Sequence, residues 1–391
     1  MSRQARRKVD ADHGRHEAEP GEHALLDARR QPPAETDADS GAGQHGADVD
    51  QRARHAMRED GRVGGSTSRA DVLIVSLGST AGLRAADAEL ADALHRAGAS
   101  VAVVAARAPR EVRTLALTDL VWARAARAAA VAGIAAHEPR ALLYSTLTAA
   151  LLWPRPGAIR FDALAAANRP GRHGVWQRPL ERRRLRAATL LVPWDEGSLA
   201  ESPRPHAAAV VVPIAVAPSP DAGAARDIAA LTYAANPHKK GLDRVLAAWA
   251  AARHDGEELV VAGSNVRVDA PGLRSVGLLE PAAYRALLRR ARVFVAAPRR
   301  EDYGIAQLEA LADGCVLVTT TSPGPYAALP LARALDPRLV VERADDLPGA
   351  LRAALDEPAA DYGQRAAQAL APFSAATIDV VVREELLPRL R

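Results

Sequence analysis

Two carboxylates bracket a glycine in the stretch EDYGIAQLE, which runs from Glu301 to Glu309. It follows RVFVAAP at 292–298, which predicts a buried strand, and it leads into a segment with the apolar spacing of a helix. A helix that starts near Tyr303 would place Glu309 beside its own apolar stripe, where an unpaired carboxylate is costly. We therefore expect a ligand to meet Glu309. Carboxylates accept hydrogen bonds from hydroxyl groups, so a sugar ring fits both glutamates.

Backbone N–H groups near the same glycine offer a site for an anion. Gly304, Ile305 and Ala306 would present theirs at a helix N-terminus, which favours a pyrophosphate. A second turn, SLGSTAG at 76–82, offers small side chains and free N–H groups around Gly78 and Gly82. This turn would hold an anion or admit a sugar, although most turns of this kind contain glycine.

Lysine is rare in this chain, which uses it only at Lys8, Lys239 and Lys240. The adjacent pair lies in the turn NPHKKGLD at 236–243, directly after a predicted strand. An ammonium group is a compact charge that suits a diphosphate oxygen. We assign the pair to a diphosphate, with Lys240 ahead of Lys239. The alternative is a solvated turn.

An α/β framework must position these three turns. From Ala70 onward, buried-strand patterns alternate with amphipathic helices over short connections, which is typical of parallel sheets. Open sheets of this kind bind ligands beyond the carboxyl ends of their strands, which is where the turns lie. Strands are predicted at 71–77, 100–105, 141–144, 159–161, 189–192, 209–212, 229–233, 258–262, 293–297, 316–319 and 339–341.

A stretch rich in proline and glycine at 217–224 predicts a linker between two domains. We expect two Rossmann-like doubly wound domains that face each other across a cleft, at 70–216 and 217–374. The segment 375–391 reads as a terminal helix that packs back across both. Residues 1–69 contain hardly a branched aliphatic residue and no aromatic one, so they predict a disordered tail.

Composition excludes several classes of protein. The single cysteine, Cys315, rules out an intramolecular disulfide framework, and its apolar neighbours indicate a buried hydrophobe. The formal net charge of +4 is mild for 391 residues and does not require a nucleic-acid partner. No apolar stretch approaches the ~18 to 20 residues of a membrane-spanning helix. A cytoplasmic location without a metal site is expected.

The most basic part of the predicted domains is RHGVWQRPLERRRLR at 172–186. Arginines next to Trp176 would suit an anionic acceptor or peripheral contact with the inner face of a membrane. The simpler interpretation is a solvated helix face whose Leu180 and Leu185 point inward, and we favour it.

The second half of the chain carries a resemblance to a known family. The series Gly277, Tyr284, Leu287 and Ala291, then VFV at 293–295 and Glu301-x2-Gly304-x4-Glu309, resembles the donor-site signature of the retaining GT-B glycosyltransferases of family 4. KGLD at 240–243 resembles the lysine turn of the same family. The resemblance covers about residues 70–391 and is specific in the second half.

The resemblance implies transfer of a sugar from a nucleoside-diphosphate sugar, with retention of the anomeric configuration. It implies that Glu309 binds the ribose hydroxyls, that Glu301 binds the donor sugar, and that Lys240 neutralises the departing diphosphate. Ser322–Gly324 resembles a glycine loop of the family, so we add Gly324 to the donor-binding residues. The acceptor is a glycan, a lipid or a small metabolite.

These enzymes commonly need no metal or other cofactor, because lysine and helix dipoles supply the positive charge. Many relatives also place an arginine five residues before the motif lysine, where this chain has Ala235. The resemblance therefore leaves two alternatives open. Either fewer cations contact the diphosphate, or another cation such as Lys239, Arg299 or Arg300 replaces the arginine.

A second departure concerns the first domain. Relatives have a histidine–aspartate pair after one of its strands, and the counterpart here is Phe161-Asp162. We name Asp162 as the third catalytic candidate, and a nearby group such as His173 is the alternative. These departures also keep open a GT-B protein that binds its ligand without turnover. A nucleotide-sugar epimerase fits the motifs less well.

Overall fold

The computed structural model describes residues 69–109, 115–169, 171–218, 225–266 and 270–390. The predicted tail lies outside the described residues, apart from its last residue, and so do Lys8 and most of the predicted linker. The side chain of His173 is likewise outside them.

Five parallel strands form the first sheet. Their order across it is β2-β1-β3-β4-β5. All five residues of β1, VLIVS, are buried, as expected for an inner parallel strand covered on both faces. The strands are β1 (Val72–Ser76), β2 (Val101–Ala105), β3 (Ala141–Tyr144), β4 (Ala158–Phe161) and β5 (Leu191–Pro193).

Side-chain caps start three of the helices at the carboxyl edge of this sheet. Thr80, Thr146 and Asp195 follow β1, β3 and β5, and each accepts a hydrogen bond from a backbone N–H of the first helical turn. The caps fix where the chain turns away from the edge. The helices are α1 (Ala81–Arg96), α2 (Leu115–His137), α3 (Leu147–Leu151), α4 (Ala165–Asn168), α5 (Gln177–Ala187) and α6 (Glu196–Ala200).

Six parallel strands form the second sheet, in the order β11-β10-β9-β6-β7-β8. Its inner strands β6, β7, β9 and β10 are almost wholly buried. The strands are β6 (Ile228–Tyr233), β7 (Leu259–Ala262), β8 (Leu273–Gly277), β9 (Ala291–Ala296), β10 (Val316–Thr320) and β11 (Val340–Val341).

Apolar helix faces pack on this second sheet. Leu242, Val245 and Trp249, for example, are buried on one face of a single helix. The helices are α7 (Pro237–Lys240), α8 (Leu242–Ala252), α9 (Pro281–Arg290), α10 (Ile305–Ala312), α11 (Ala328–Leu335), α12 (Leu347–Asp356) and α13 (Tyr362–Ala369).

The end of the chain returns to the first sheet. The segment predicted as one helix is α14 (Ala375–Val381) and α15 (Leu387–Leu390), joined by a π-helical turn. Ile378 is buried in the same apolar cluster as Val72 of β1. Arg96 at the end of α1 pairs with Asp379 at 2.8 Å.

The fold class is confirmed, because two parallel sheets with flanking helices lie on either side of the predicted domain boundary. The boundary itself stays a prediction. The run predicted as a strand at 209–212 is not a strand of the sheet: Ala209 makes one isolated bridge to Leu191, and Val210 and Val212 donate to carbonyls of β5 at 2.9 Å. The helix after the first turn begins at Ala81, so Gly82 lies inside its first turn.

Candidate active site

Two lysines at the end of α7 meet two carboxylates of the loop after β9. Lys240 Nζ lies 2.7 Å from Glu301 Oε2 and 2.9 Å from Oε1. Lys239 Nζ donates to Asp302 Oδ2. The Glu301 side chain is only 5% exposed and also accepts a hydrogen bond from Gln307 Nε2 at 3.0 Å. The structure therefore brings together Lys240 and Glu301, both predicted, and adds Asp302 and Gln307, which were not.

Glycine allows these two loops to approach each other. Gly241 ends α7 with a φ of 66°, and a Cβ there would lie 1.9 Å from the carbonyl oxygen of Ala297. No other residue fits such a contact. The backbone N–H of Arg299 then donates to the carbonyl of Lys239 at 2.9 Å, which holds the loops together.

Gly324 supports Glu301 from the other side, in the loop after β10. The backbone N–H of Glu301 donates to the carbonyl of Pro323 at 3.1 Å. Gly324 has a φ of 109°, and a Cβ there would lie 2.1 Å from the carbonyl oxygen of Glu301. The predicted glycine loop thus sets the position of a predicted catalytic residue.

Gly324→Ala is expected to destabilise the protein by about 1 to 3 kcal/mol, because the strained backbone and the clash act together. Urea unfolding measures the change. Gly363→Ala is the matched control, since nothing lies within 4 Å of a Cβ at that helical position. Equal free energies of unfolding for the two variants would contradict this account of the loop.

Glu309 lies in the second turn of α10 and is partly buried. No described residue donates a hydrogen bond to its carboxylate. Burial raises the pKa of Glu309 to about 6, and the charge of Arg285 limits the rise. The hydroxyl of Tyr284 is also buried without a hydrogen-bond partner among the described residues, and its ring packs 5.2 Å from that of Tyr233. Burial, then the charge of Glu309, raises the pKa of both tyrosines.

A cavity of about 390 Å³ opens at the carboxyl edge of the first sheet. Its wall includes Gly82 in α1, Asp162 after β4 and Trp194 after β5, and Ile305 of α10 joins it from the second half of the chain. Gly78 adopts a φ of 61° in the turn before α1, and its carbonyl accepts from Arg84 Nη1 at 2.9 Å. The cavity therefore contacts both α1, which follows the predicted turn at 76–82, and α10, which carries Glu309.

Polar side chains from distant parts of the sequence line this cavity. Arg169 holds Asp119 through two hydrogen bonds, 2.7 Å from Nε and 3.0 Å from Nη2. Gln177 donates its amide to the same carboxylate. Glu181 accepts from the backbone N–H of Ala165 at 2.9 Å. None of these residues was predicted, and no local motif marks them, since only the fold brings them together.

The Asp162 carboxylate accepts no hydrogen bond from another described residue, whereas its backbone carbonyl accepts from Ser198 Oγ at 2.7 Å. Burial and the nearby charge of Asp302 raise the pKa of Asp162 to about 6, and Lys239 opposes the rise. Asp162 is thus close enough to the lysine and acid loops to sense their charges.

Glu181→Gln is expected to raise the thermal stability of the protein at pH 8 and to change it much less at pH 5. Burial raises the pKa of Glu181 to about 7. The folded state therefore holds this proton more tightly than the unfolded state, and the resulting stability is lost as the pH rises through about 7. Glutamine stays neutral and still accepts from Ala165. Thermal melts at both pH values test this, with the exposed Glu280→Gln as control. A gain that does not depend on pH would contradict it.

The loop that carries Glu301 is bonded to the first half of the chain. Tyr303 Oη accepts from the backbone N–H of Ile214 at 3.0 Å, and its ring meets Trp194 edge-on at 5.3 Å. Arg300 reaches Glu201 at 3.0 Å. These contacts hold the second-half loop against the strand ends of the first sheet.

Among the suggested substitute cations, Arg300 pairs with Asp302 at 2.8 Å, next to Lys239 on the same carboxylate. Arg299 pairs with Asp243 at 2.6 Å on the more exposed side of the loop. Ala235, where relatives carry an arginine, is exposed. Of the three suggested substitutes, Lys239 and Arg300 are therefore the two that contact Asp302, beside the Lys240–Glu301 pair.

The basic segment lies largely in α5. Arg182, Arg183 and Arg186 are exposed, while Leu185 is buried and Leu180 is half-buried. This geometry fits a solvated helix face. In the described part of the chain, no helix has the length and apolarity to cross a membrane. Within the same residues, no group of three His, Cys, Asp or Glu side chains is placed to hold a metal ion. Cys315 is buried, as expected.

Solved structures share this fold. A sucrose-phosphate synthase from Thermosynechococcus elongatus superposes with a TM-score of 0.59 at 16% identity, over 79% of this chain and 96% of that one. WaaG, a glycosyltransferase involved in lipopolysaccharide biosynthesis, gives 0.59 at 14% identity, over 79% and 99%. Anabaena HepE in complex with UDP and glucose gives 0.58 at 13% identity, over 81% and 99%. At such identities the likeness shows the fold, which is GT-B.

Among curated proteins, no sequence matches this chain. Residues 228–358 match the family model described as glycosyl transferases group 1. The matched region contains the lysine turn, the two glutamates and the glycine loop. Residues 228–358 are therefore similar to the glycosyl transferases group 1 family, and the chain that contains them has a GT-B fold.

Proposed function

We propose that the protein transfers a sugar from a nucleoside-diphosphate sugar to an acceptor bound beside the first sheet, with retention of the anomeric configuration and without a metal ion. The observation that carries this proposal is the Lys240–Glu301 pair, 2.7 Å apart, in the same domain as the carboxylate of Glu309, to which no described residue donates a hydrogen bond. One cation and two carboxylates match a ligand with a diphosphate between two polyol rings.

In this proposal Glu309 receives the ribose hydroxyls, because its carboxylate has unused hydrogen-bond capacity. Lys240 turns from Glu301 to the diphosphate, and Glu301 then accepts from hydroxyls of the donor sugar. The backbone N–H groups of Gly304, Ile305 and Ala306 add the positive end of α10. HepE, which shares the fold, was solved in complex with UDP and glucose, and this supports a nucleoside-diphosphate sugar as the class of donor.

The transfer step requires a negative charge to be stabilised as the diphosphate departs. The acceptor oxygen forms a bond to the anomeric carbon on the face that the diphosphate leaves. The bond from that carbon to the phosphate oxygen breaks, and its electron pair goes to the diphosphate. The acceptor proton passes to a diphosphate oxygen. Lys240 and Lys239 supply the compensating positive charge.

A calorimetric and thermal-shift screen against UDP, GDP, ADP and their common sugar conjugates tests the donor assignment, first with a chelator and then with magnesium. A ligand that binds the folded state raises its apparent stability. Selective stabilisation by one nucleotide in the chelator supports the proposal. If none of the nucleotides stabilises the protein, the proposed nucleoside-diphosphate donor is contradicted. If stabilisation requires magnesium, the metal-free mechanism is contradicted.

Turnover separates an enzyme from a protein that only binds. A transferase is expected to hydrolyse its donor slowly without an acceptor, and NMR of the released or transferred sugar gives the anomeric configuration. Retention predicts that the first product has the configuration of the donor. Tight binding with no hydrolysis and no transfer would favour the non-catalytic alternative.

A further inference from the structure

The cavity beside the first sheet has an unusual balance of charge for a site that receives a metabolite. Among the described residues, three carboxylates line it, those of Asp119, Asp162 and Glu181. One cationic side chain, Arg169, lines it with them. Burial raises the pKa of Glu181 to about 7, so Asp119 and Asp162 carry most of the negative charge near neutral pH, and these two carboxylates still outnumber Arg169 around a phosphate or carboxylate of a ligand.

The single cation of the cavity is already engaged. Arg169 grips Asp119 in a two-point ion pair at 2.7 and 3.0 Å, which is the strongest geometry for an arginine and a carboxylate. Its Nη1 also donates to the carbonyl of Asn168 at 3.1 Å. The nearest lysine, Lys239, is held by Asp302 and by the Asn168 side chain. Little positive charge is left for an anionic ligand.

The groups of the cavity that remain unsatisfied are two hydrogen-bond acceptors and one donor, the buried indole Nε1 of Trp194, and a hydroxyl group of a ligand can serve both kinds. The carboxylate of Asp162 accepts no hydrogen bond from another described residue. Gln177 is only 2% exposed, and its Oε1 has no partner among the described residues although its amide nitrogen is bonded. A buried acceptor without a donor is costly, so a ligand with O–H or N–H groups that donate to Asp162 and to Gln177 Oε1 would be favoured.

The volume of the cavity limits the size of such a ligand. Ligand cavities range over about 300 to 1,000 Å³, and the 390 Å³ here is near the lower end. A single sugar ring fits better than an oligosaccharide. Asp162 also senses the charges of Asp302 and Lys239, which places one end of the cavity next to the lysine and acid loops.

We infer that the acceptor site takes a small neutral polyol or amino polyol of about the size of a monosaccharide, and that it rejects the phosphorylated form of the same ring. This inference rests on the proposed function, because it assigns the acceptor to the cavity of the first sheet. A hydroxyl of the polyol supplies the oxygen that bonds to the anomeric carbon, and its proton leaves with the diphosphate.

Ligand-observed NMR on the full chain tests the inference without any donor. The probes are glucose, mannose and galactose, the corresponding 2-amino sugars, and the corresponding 6-phosphates. We expect binding of at least one neutral or amino sugar, and at least about tenfold weaker binding of its 6-phosphate. A 6-phosphate that binds as tightly as its parent would overturn the inference. Failure of every neutral and amino sugar to bind would also overturn it.

Three variants show whether the charges of the cavity set this preference. Ala163→Phe adds bulk to the cavity wall and is expected to remove binding of all the sugars. Asp162→Asn is expected to weaken the amino sugar at least about tenfold relative to the neutral one, because the ammonium loses its charged partner. Asp119→Asn releases Arg169 and is expected to strengthen binding of the 6-phosphate.

Circular dichroism confirms that each variant is folded. If Asp119→Asn fails to fold, Asp162→Asn is the deciding variant. An unchanged ratio of the affinities for the amino and the neutral sugar would then show that the charge of Asp162 does not set the preference. The donor assignment is tested separately by nucleotide binding. If the protein binds a nucleotide but prefers phosphorylated sugars, only the inferred class of acceptor is refuted. If it binds sugars but no nucleotide, the proposed donor is refuted.

Discussion

Glu309→Ala is expected to weaken binding of the nucleoside diphosphate by about 100-fold. Two hydroxyl groups that donate to one carboxylate are together worth about 3 kcal/mol, and each 1.4 kcal/mol is a factor of ten in the dissociation constant. The variant is expected to fold normally, since the carboxylate has no described partner to lose and its burial is costly. Calorimetry with UDP, GDP and ADP measures the affinity, and thermal melts measure the stability.

The pH dependence of binding identifies the ionised carboxylate as the group that acts. Because burial raises the pKa of Glu309 to about 6, affinity for a nucleoside-diphosphate sugar, which has no terminal phosphate that titrates near that pH, is expected to rise between pH 5 and pH 7 and then to level off. Glu309→Gln is the matched control: its affinity is lower and does not follow this rise. Wild-type affinity in Glu309→Ala, or the same pH profile in the glutamine variant, would argue against the ribose assignment.

Lys240→Met is expected to abolish transfer and also to destabilise the fold, which Glu309→Ala is not. Lys240 neutralises Glu301, whose side chain is 5% exposed, and breaking a buried ion pair from one side costs about 3 kcal/mol. Gln307 remains as a hydrogen-bond donor to Glu301, so the loss should lie at the lower end of the range. Urea unfolding and donor turnover are the two measurements.

A double-mutant cycle separates the two effects. Lys240→Met with Glu301→Gln is expected to recover most of the lost stability, because no charge is left buried without a partner, while turnover stays lost. Arg274→Met provides the comparison for an exposed pair, since Arg274 and Glu258 are 2.8 Å apart and about 40% exposed, and it should cost about 1 kcal/mol or less. Additive losses in the cycle would contradict the coupling of Lys240 and Glu301.

The sequence predicts the framework well because buried parallel strands are apolar on both faces. Strand β3 (Ala141–Tyr144) has the predicted boundaries. Strand β8 was missed because its residues are only half-buried, so LRSVG carries no strong apolar signal. The false strand at 209–212 shows the opposite case. Val210 and Val212 are buried and donate backbone hydrogen bonds to Leu191 and Pro193 of β5, but the bridge pairing is confined to Ala209 and no strand of the sheet forms.

The donor side of the candidate site could be predicted because its residues are close in sequence. Glu301, Gly304 and Glu309 lie in one turn and one helix, and Lys240 stands out in a chain with so few lysines. The polar wall of the cavity could not be predicted. Its members come from α2, α4, α5 and the segments between them, and only the packing of these elements on the first sheet brings them together.

The two lysine–carboxylate pairs lie next to each other, and the charges cancel within each pair. Under the proposed function, a donor would exchange partners with these pairs rather than simply add charges: the ammonium groups would move to phosphate, and the released carboxylates would accept from hydroxyls of the sugar. Inorganic diphosphate would engage the ammonium groups but would leave Asp302 with Arg300 and Glu301 with Gln307 as their remaining partners, whereas a free sugar would offer no phosphate to the lysines. A molecule with both halves would complete the exchange, so the same pairs that hold the loops together would favour an intact donor over its fragments.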